Sequence, residues 1–135
     1  MRNRATLCLV AVVLTAAGCG DGADKKSADE KQVRALLSQL EALSREGNGQ
    51  AICDTLFTPK LVASVERAAK SHNCAREVRK NVFTPSAVVT VRSIDLVDDL
   101  NGVAHVTVQN GIKDVVYVVK NPQSQWRIRS IQREE

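Results

Sequence analysis

The residues best suited to chemistry in this 135-residue chain are four cysteines, two histidines, one tyrosine and a scatter of carboxylates. Cys53 and Cys74 stand 20 residues apart, counting those between them. In an oxidising compartment two such cysteines favour a disulfide, worth about 3 kcal/mol from loop closure. Free thiols, a metal pair and a redox pair are the alternatives. A metal pair has only His72 nearby, and structural zinc takes four ligands. A redox pair normally sits closer, as Cys-x-x-Cys. The acids Asp54, Asp95, Asp98, Asp99 and Asp114 each have a plainer role at a helix start, strand end or turn. His105 alternates with Ala104 and Val106, which are expected in the core, so it faces away from them. His72 falls at an expected helix end, where an imidazolium is favourable. There is no glycine-rich phosphate loop, no metal-spaced ligand set and no nucleophile–base pair. The residues therefore assign no catalytic group, no metal and no cofactor.

Of the remaining cysteines, Cys8 lies in a leader segment and Cys19 directly follows it. Arg2 and Arg4 precede an apolar run over residues 5–17, interrupted only by Thr6 and Thr15. Thirteen helical residues rise about 20 Å, too short for a hydrocarbon core of about 30 Å. A positive start, a short apolar stretch and small residues after it make a secretory signal. The run ends Leu14-Thr15-Ala16-Ala17-Gly18-Cys19. This resembles the lipobox of bacterial lipoproteins, in which a cysteine after small residues is acylated and becomes the mature N-terminus. The resemblance implies cleavage after Gly18, loss of Cys8 with residues 1–18, and lipid on Cys19. A plain secretory signal with Cys19 as a bystander is the alternative. Two or three acyl chains would anchor the protein stably, where one would not.

Cleavage removes Arg2 and Arg4, leaving 17 basic against 15 acidic residues. The basicity that would suggest nucleic acid largely disappears. With Phe57, Phe83, Tyr117 and Trp126 as the only aromatics, stacking platforms for single strands are lacking too. Residues 20–28 are small and charged, so residues 19–28 read as a lipidated flexible tether ahead of one domain over residues 29–135.

The elements that position these groups follow from periodicity. Ser27 with Glu30 forms a capping-box pattern, and Val33, Leu36, Leu37, Leu40 and Leu43 make one helical stripe to about Glu46. Gly47-Asn48-Gly49 stops it. A short helix covers residues 50–57, and Thr58-Pro59 caps the next, with Leu61, Val62, Val65, Ala68 and Ala69 as its buried stripe. A fourth covers residues 75–81. Arg67, Lys70, Arg76, Arg79 and Lys80 offer a patch for anionic lipid or envelope polymer, or simply a solvated face broken by Glu66 and Glu77. Four strands follow, over residues 87–96, 103–109, 113–120 and 126–131, with a loop from Val97 turning at Asn101-Gly102 and further turns at Asn110-Gly111 and residues 121–124. Strand three is apolar on both faces. On strand four Trp126, Ile128 and Ser130 oppose Arg127 and Arg129. Helices first and an antiparallel sheet after give an α+β fold.

Taken in order, several segments carry a second resemblance: residues 45–49, Ile52-Cys53-Asp54-Thr55-Leu56-Phe57-Thr58-Pro59, Cys74, residues 102–108, and the ending Gln125-Trp126-Arg127-Ile128-Arg129-Ser130-Ile131. Together they resemble small secreted proteins of the nuclear transport factor 2-like (cystatin-like) superfamily, including actinobacterial-type lipoproteins. The resemblance implies a curved four-stranded sheet wrapping the helices as a cone, with a pocket lined by Leu36, Leu40, Phe57, Val106, Tyr117 and Trp126. Isomerases and dehydratases of this fold pair a carboxylate base with a tyrosine or acid donor. Tyr117 is the one tyrosine available, and the sequence leaves its direction open. The expectation is a lipoprotein on the outer side of the cell membrane. Its domain is non-enzymatic and binds a small apolar ligand or an envelope protein, with no nucleic acid. An isomerase- or hydrolase-like enzyme and an interaction domain with a filled pocket are the alternatives.

Overall fold

A computed structural model describes residues 21–108 and 111–135. Residues 1–20, with Cys8 and Cys19, lie outside it, as does Asn110 of the second expected turn. Helix α1 runs Asp21–Arg45, α2 Gly49–Ala51, α3 Pro59–Ala68 and α4 Cys74–Glu77. The α2 and α4 helices each continue into a π-helical turn, Ile52–Leu56 and Val78–Val82. Strands β1 Thr90–Leu96, β2 Asn101–Val108, β3 Ile112–Lys120 and β4 Trp126–Arg133 form one antiparallel sheet in the order β1-β2-β3-β4. The α+β class is thus as the sequence indicates.

Helix α1 is already formed at Asp21, the first described residue, six residues before its capping-box pattern. Residues 21–28, expected to be a flexible tether, are helical, and Ser27 lies inside the helix instead of capping it. Lys25 and Asp29 of this stretch take partners outside the helix, Asp99 and Lys120. Downstream the stripe is as read: Val33, Leu36, Leu37 and Leu40 are buried, with Leu43 partly so. The helix ends in a Schellman arrangement. The Asn48 N–H donates to Leu43 O at 2.9 Å and the Gly47 N–H to Ser44 O at 3.0 Å, with Gly47 at φ +66°.

Thr58 caps α3 as expected, its Oγ1 accepting from the Leu61 N–H at 3.2 Å with Pro59 in the first turn. The buried stripe of α3 is a correction. Leu61, Val62 and Val65 are only half-buried and Ala68 is exposed, because α3 lies against the rim of the core, and only Ala69 beyond its end is buried. The first turn is corrected as well. Asn101 and Gly102 begin β2, and the loop is residues 97–100. Gly102 is packed tightly, since a Cβ there would sit 3.0 Å from Leu96 and 3.1 Å from Val118.

Two irregularities bend the sheet, one between Val91 and Ser93 and one opposite Tyr117/Val118. The second corrects the alternation on β4. Tyr117 pairs with Ser130 and Val118 with Ile128, so Arg129 is the extra residue. Trp126 and Ile128 face the helices as expected, while Ser130 moves to the outer face with Tyr117. The inner face of Ala104, Val106, Val116, Val118 and Ile128 packs on α1 and on Ile52, Leu56, Phe57, Val78 and Phe83.

The α2 and α4 segments are joined by the Cys53–Cys74 disulfide. They touch backbone to backbone, because a Cβ on Gly49 would lie 2.1 Å from Ala75 O. Cys53→Ser should cost about 3 kcal/mol, a melting shift on the order of 10 °C for a domain this size. Thermal denaturation with and without reductant checks it: the reduced wild type should melt with the variant, and an unchanged oxidised melting point would refute the bond.

Candidate functional site

Arg127 of β4 lines two surface clefts near the helices. Its Nη1 donates to Asp54 O at 3.1 Å and to Thr55 O, and its Nη2 to Gln125 Oε1 at 3.3 Å. Carbonyls at the end of a helix lack helical partners, and the guanidinium fork satisfies two of them. The chain then leaves the helix and runs beside β4: Phe57 bridges Ile128, and the Thr58 N–H donates to Ile128 O at 2.9 Å.

A cleft lies on each side of this clamp. The first, about 580 Å³, is bounded by α3, the π-helical turn and the β3–β4 turn. Phe57, Pro59, Val62, Ala63 and Pro122 supply apolar wall, and Asp54, Glu66, Asn121 and Arg127 supply polar groups. Its disulfide floor is Cys53. The Asp54 carboxylate accepts from Gln50 Nε2 at 2.8 Å. The second, about 430 Å³, opens between α1 and the start of β4, with Leu36 and Trp126 at its base.

The six expected pocket residues are therefore distributed, not gathered. Leu36 and Trp126 line the second cleft and Phe57 the first. Leu40 and Val106 are sealed in the packed core at 0% and 1% exposure. Tyr117 is turned to the outer face, opposite Val103 and Ser130, and lines neither cleft. His105 shares that face, its ring nitrogens 4.0 Å from Asp95 and 3.9 Å from Glu134. His72 follows α3 at φ 48°, with Nδ1 3.1 Å from Glu66 O. The basic patch is split. Arg76 and Arg79 border a dent beside Gly47–Gln50, while Arg67 turns onto Ala63 O and Ser64 of its own helix. Among the described residues no three His, Cys, Asp or Glu side chains are grouped to hold a metal.

One cluster was not foreseen. Asp29, 5% exposed, accepts from Lys120 Nζ at 2.6 Å and from Trp126 Nε1 at 3.3 Å. The Lys120 ammonium lies 5.0 Å from the Trp126 ring centroid. The bond from Lys120 holds the Asp29 carboxyl below its ordinary range; burial opposes this, and the Trp126 N–H adds to it. The only signal in sequence was an acid one turn before an apolar stripe, and nothing there names a partner 91 residues away. Asp29 also borders a third cleft, of about 450 Å³, between Gly22, Lys25 and Lys26 of α1 and Leu96, Asp98 and Asp99 near the β1–β2 loop.

No protein family, curated protein or solved structure matches the chain. What the site can do rests on its geometry: two half-apolar clefts, hinged on one arginine that is spent on backbone carbonyls. Among the described residues no helix is long and apolar enough to cross a membrane.

The buried pair sets a pH dependence. The folded carboxyl of Asp29 titrates below the unfolded one, so its stabilisation is complete above the unfolded value of about 3.9. It is lost as pH falls through the lower, folded value. Asp29→Asn should cost about 2 kcal/mol at pH 7, less than a fully enclosed pair because Lys120 can reach water. The gap to wild type should close below pH 4. Urea midpoints between pH 2.5 and 7 measure this, and parallel curves would refute it.

Proposed function

We propose that this protein is a cell-envelope lipoprotein, held by acylated Cys19 on the outer side of the cell membrane. Its domain is a non-enzymatic binding module, and the 580 Å³ cleft beside Arg127 takes a small apolar or amphipathic molecule. The proposed fold family is the nuclear transport factor 2-like (cystatin-like) cone. Helices before strands, a four-stranded meander and two bulges that curve it support that assignment.

The observation that carries the binding reading is the lining of the cleft. Small-molecule sites span about 300–1,000 Å³ and combine apolar walls with a few placed polar groups. Here Phe57, Pro59, Val62 and Pro122 provide the wall, and Asp54, Glu66 and Asn121 the polar rim. The floor is rigid, since Cys53 is tied to Cys74 and the π-helical turn that carries it is clamped by Arg127. Preformed walls reduce the ordering cost of binding. The disulfide also suits an oxidising, extracytoplasmic setting. An envelope protein seated on the outer sheet face, where Val103, Val115, Tyr117 and Val119 lie side by side half-buried, is the competing use of the domain.

Two measurements test these claims. Cys19→Ala should move the protein from the membrane fraction to the soluble fraction; a variant that still sediments with membranes would sink the anchor. Ala63 is exposed on α3 at the cleft wall, so Ala63→Trp should fill the cleft without disturbing the core. Native mass spectrometry of the extracted wild type should show a bound small molecule that Ala63→Trp loses. If neither a bound molecule nor any stabilising envelope lipid is found by thermal shift, the ligand reading fails.

A further inference from the structure

The two most exposed large apolar side chains among the described residues share one four-residue loop. Val97 is 70% and Leu100 55% exposed, at the tip between β1 and β2. The loop is held from several sides. The Val97 N–H donates to Asn101 O at 2.9 Å, and the Lys120 N–H to Leu100 O at 2.8 Å. The Asp98 carboxylate accepts from the Leu100 and Asn101 N–H groups at 2.7 Å each. These donors, with the Asn101 side chain, hold the Asp98 carboxyl below its ordinary range. Its neighbour Asp99 is ion-paired to Lys25 Nζ at 2.6 Å. Both acids of the tip are thus engaged, and its two apolar side chains are left pointing into solvent. A rigid loop of this kind loses little entropy on contact.

The loop sits at one particular end of the molecule. The Lys25–Asp99 pair joins it to the second turn of α1, and Gly22, Lys26, Leu96 and Asp99 border one cleft. Cys19 is two residues before Asp21, where α1 begins. Two residues span about 7 Å at most. A lipid on Cys19 would therefore enter the membrane from the end of the molecule that carries Val97 and Leu100. We propose that residues 97–100 dock into the interface of the phospholipid bilayer that holds the acyl chains, fixing the orientation of the domain on its membrane. This rests on the reading of Cys19 as acylated. Apolar side chains at a membrane interface add binding in proportion to the area they bury, and an already tethered domain needs only a small increment to settle in one pose.

The test uses the full lipidated chain in phosphatidylcholine–phosphatidylglycerol vesicles with brominated acyl chains. The one native tryptophan, Trp126, is buried and should be little quenched. Leu100→Trp adds a second emitter at the tip, and the bromines should remove most of the added emission. Val88→Trp is the control, since Val88 is 45% exposed and precedes β1 at the opposite end of the sheet; its added emission should survive. Equal quenching at both positions overturns the docking pose while leaving the anchor intact. An intact, unmodified Cys19 in the mass spectrum of the membrane-extracted protein would overturn the anchor, and the docking proposal with it. As a second measure, Val97→Asp in the lipidated Leu100→Trp chain alters only an exposed side chain. It should reduce the quenching of the tip emission about twofold; quenching unchanged by the aspartate would count against the proposal.

Discussion

The position of α1 on the sheet is set by a single buried carboxylate. Asp29 is met by Lys120, the last residue of β3, and by Trp126, the first of β4, which pair across the two strands. Apolar contact between a helix stripe and a sheet is non-directional and would tolerate sliding. A carboxylate removed from water tolerates very little, because without its partners it carries the full cost of desolvation. Asp29 therefore fixes the register of the helix along the sheet, and does so at both sides of the β3–β4 turn. The walls of two clefts follow from that register. Trp126 and Leu36 meet at the base of one, and Asp29 forms the edge of another.

A different chemistry holds the opposite side of the helical layer. The α2 and α4 segments are short, and isolated helices of a few residues do not persist in water. They are kept by the Cys53–Cys74 bond, by the close approach that Gly49 permits to Ala75, and by side-chain caps from Asn48 and Asn73. Arg127 then connects this layer to the sheet by saturating carbonyls of the π-helical turn. The 580 Å³ cleft lies where these constraints meet. Its shape is set by covalent and hydrogen-bonded neighbours, which makes it a preformed feature and not a gap left by loose packing.

Much of the fold was legible because its signals are local. The stripe on α1, the Gly47 stop and the Thr58-Pro59 start each need only neighbouring residues to act. The readings that failed required distant information. Asn101-Gly102 has the composition of a turn, yet Gly102 is needed in β2 because Leu96 and Val118 crowd its Cα. The alternation on β4 broke at Arg129, since a bulge is decided by the partner strand. Leu40 and Val106 point inward as their periods require, but they fill the core and do not wall a pocket. Inward direction follows from period, whereas an open or filled interior depends on how all the side chains interdigitate. The Asp29–Lys120–Trp126 cluster was hidden for the same reason: its members are remote in sequence, and a lone acid before an apolar stripe is an ordinary solvated feature.

The helical start of α1 changes the mechanics of the whole molecule. A flexible segment over residues 21–28 would let the domain tumble freely above a surface. A helix of 25 residues is about 37 Å of rigid rod at 1.5 Å per residue, continuous with the core through Val33, Leu36, Leu37 and Leu40. Its first turns lack a buried face, so tertiary packing does not hold them. The Lys25–Asp99 bridge to the β1–β2 loop does. Any force or restraint applied at residue 21 is passed directly to the sheet through that bridge and through Asp29. On the proposed anchor, the mouth of the Arg127 cleft would then keep a fixed aspect toward the membrane. Its occupant would be presented in one direction, an arrangement that a tethered bead on a loose string cannot provide.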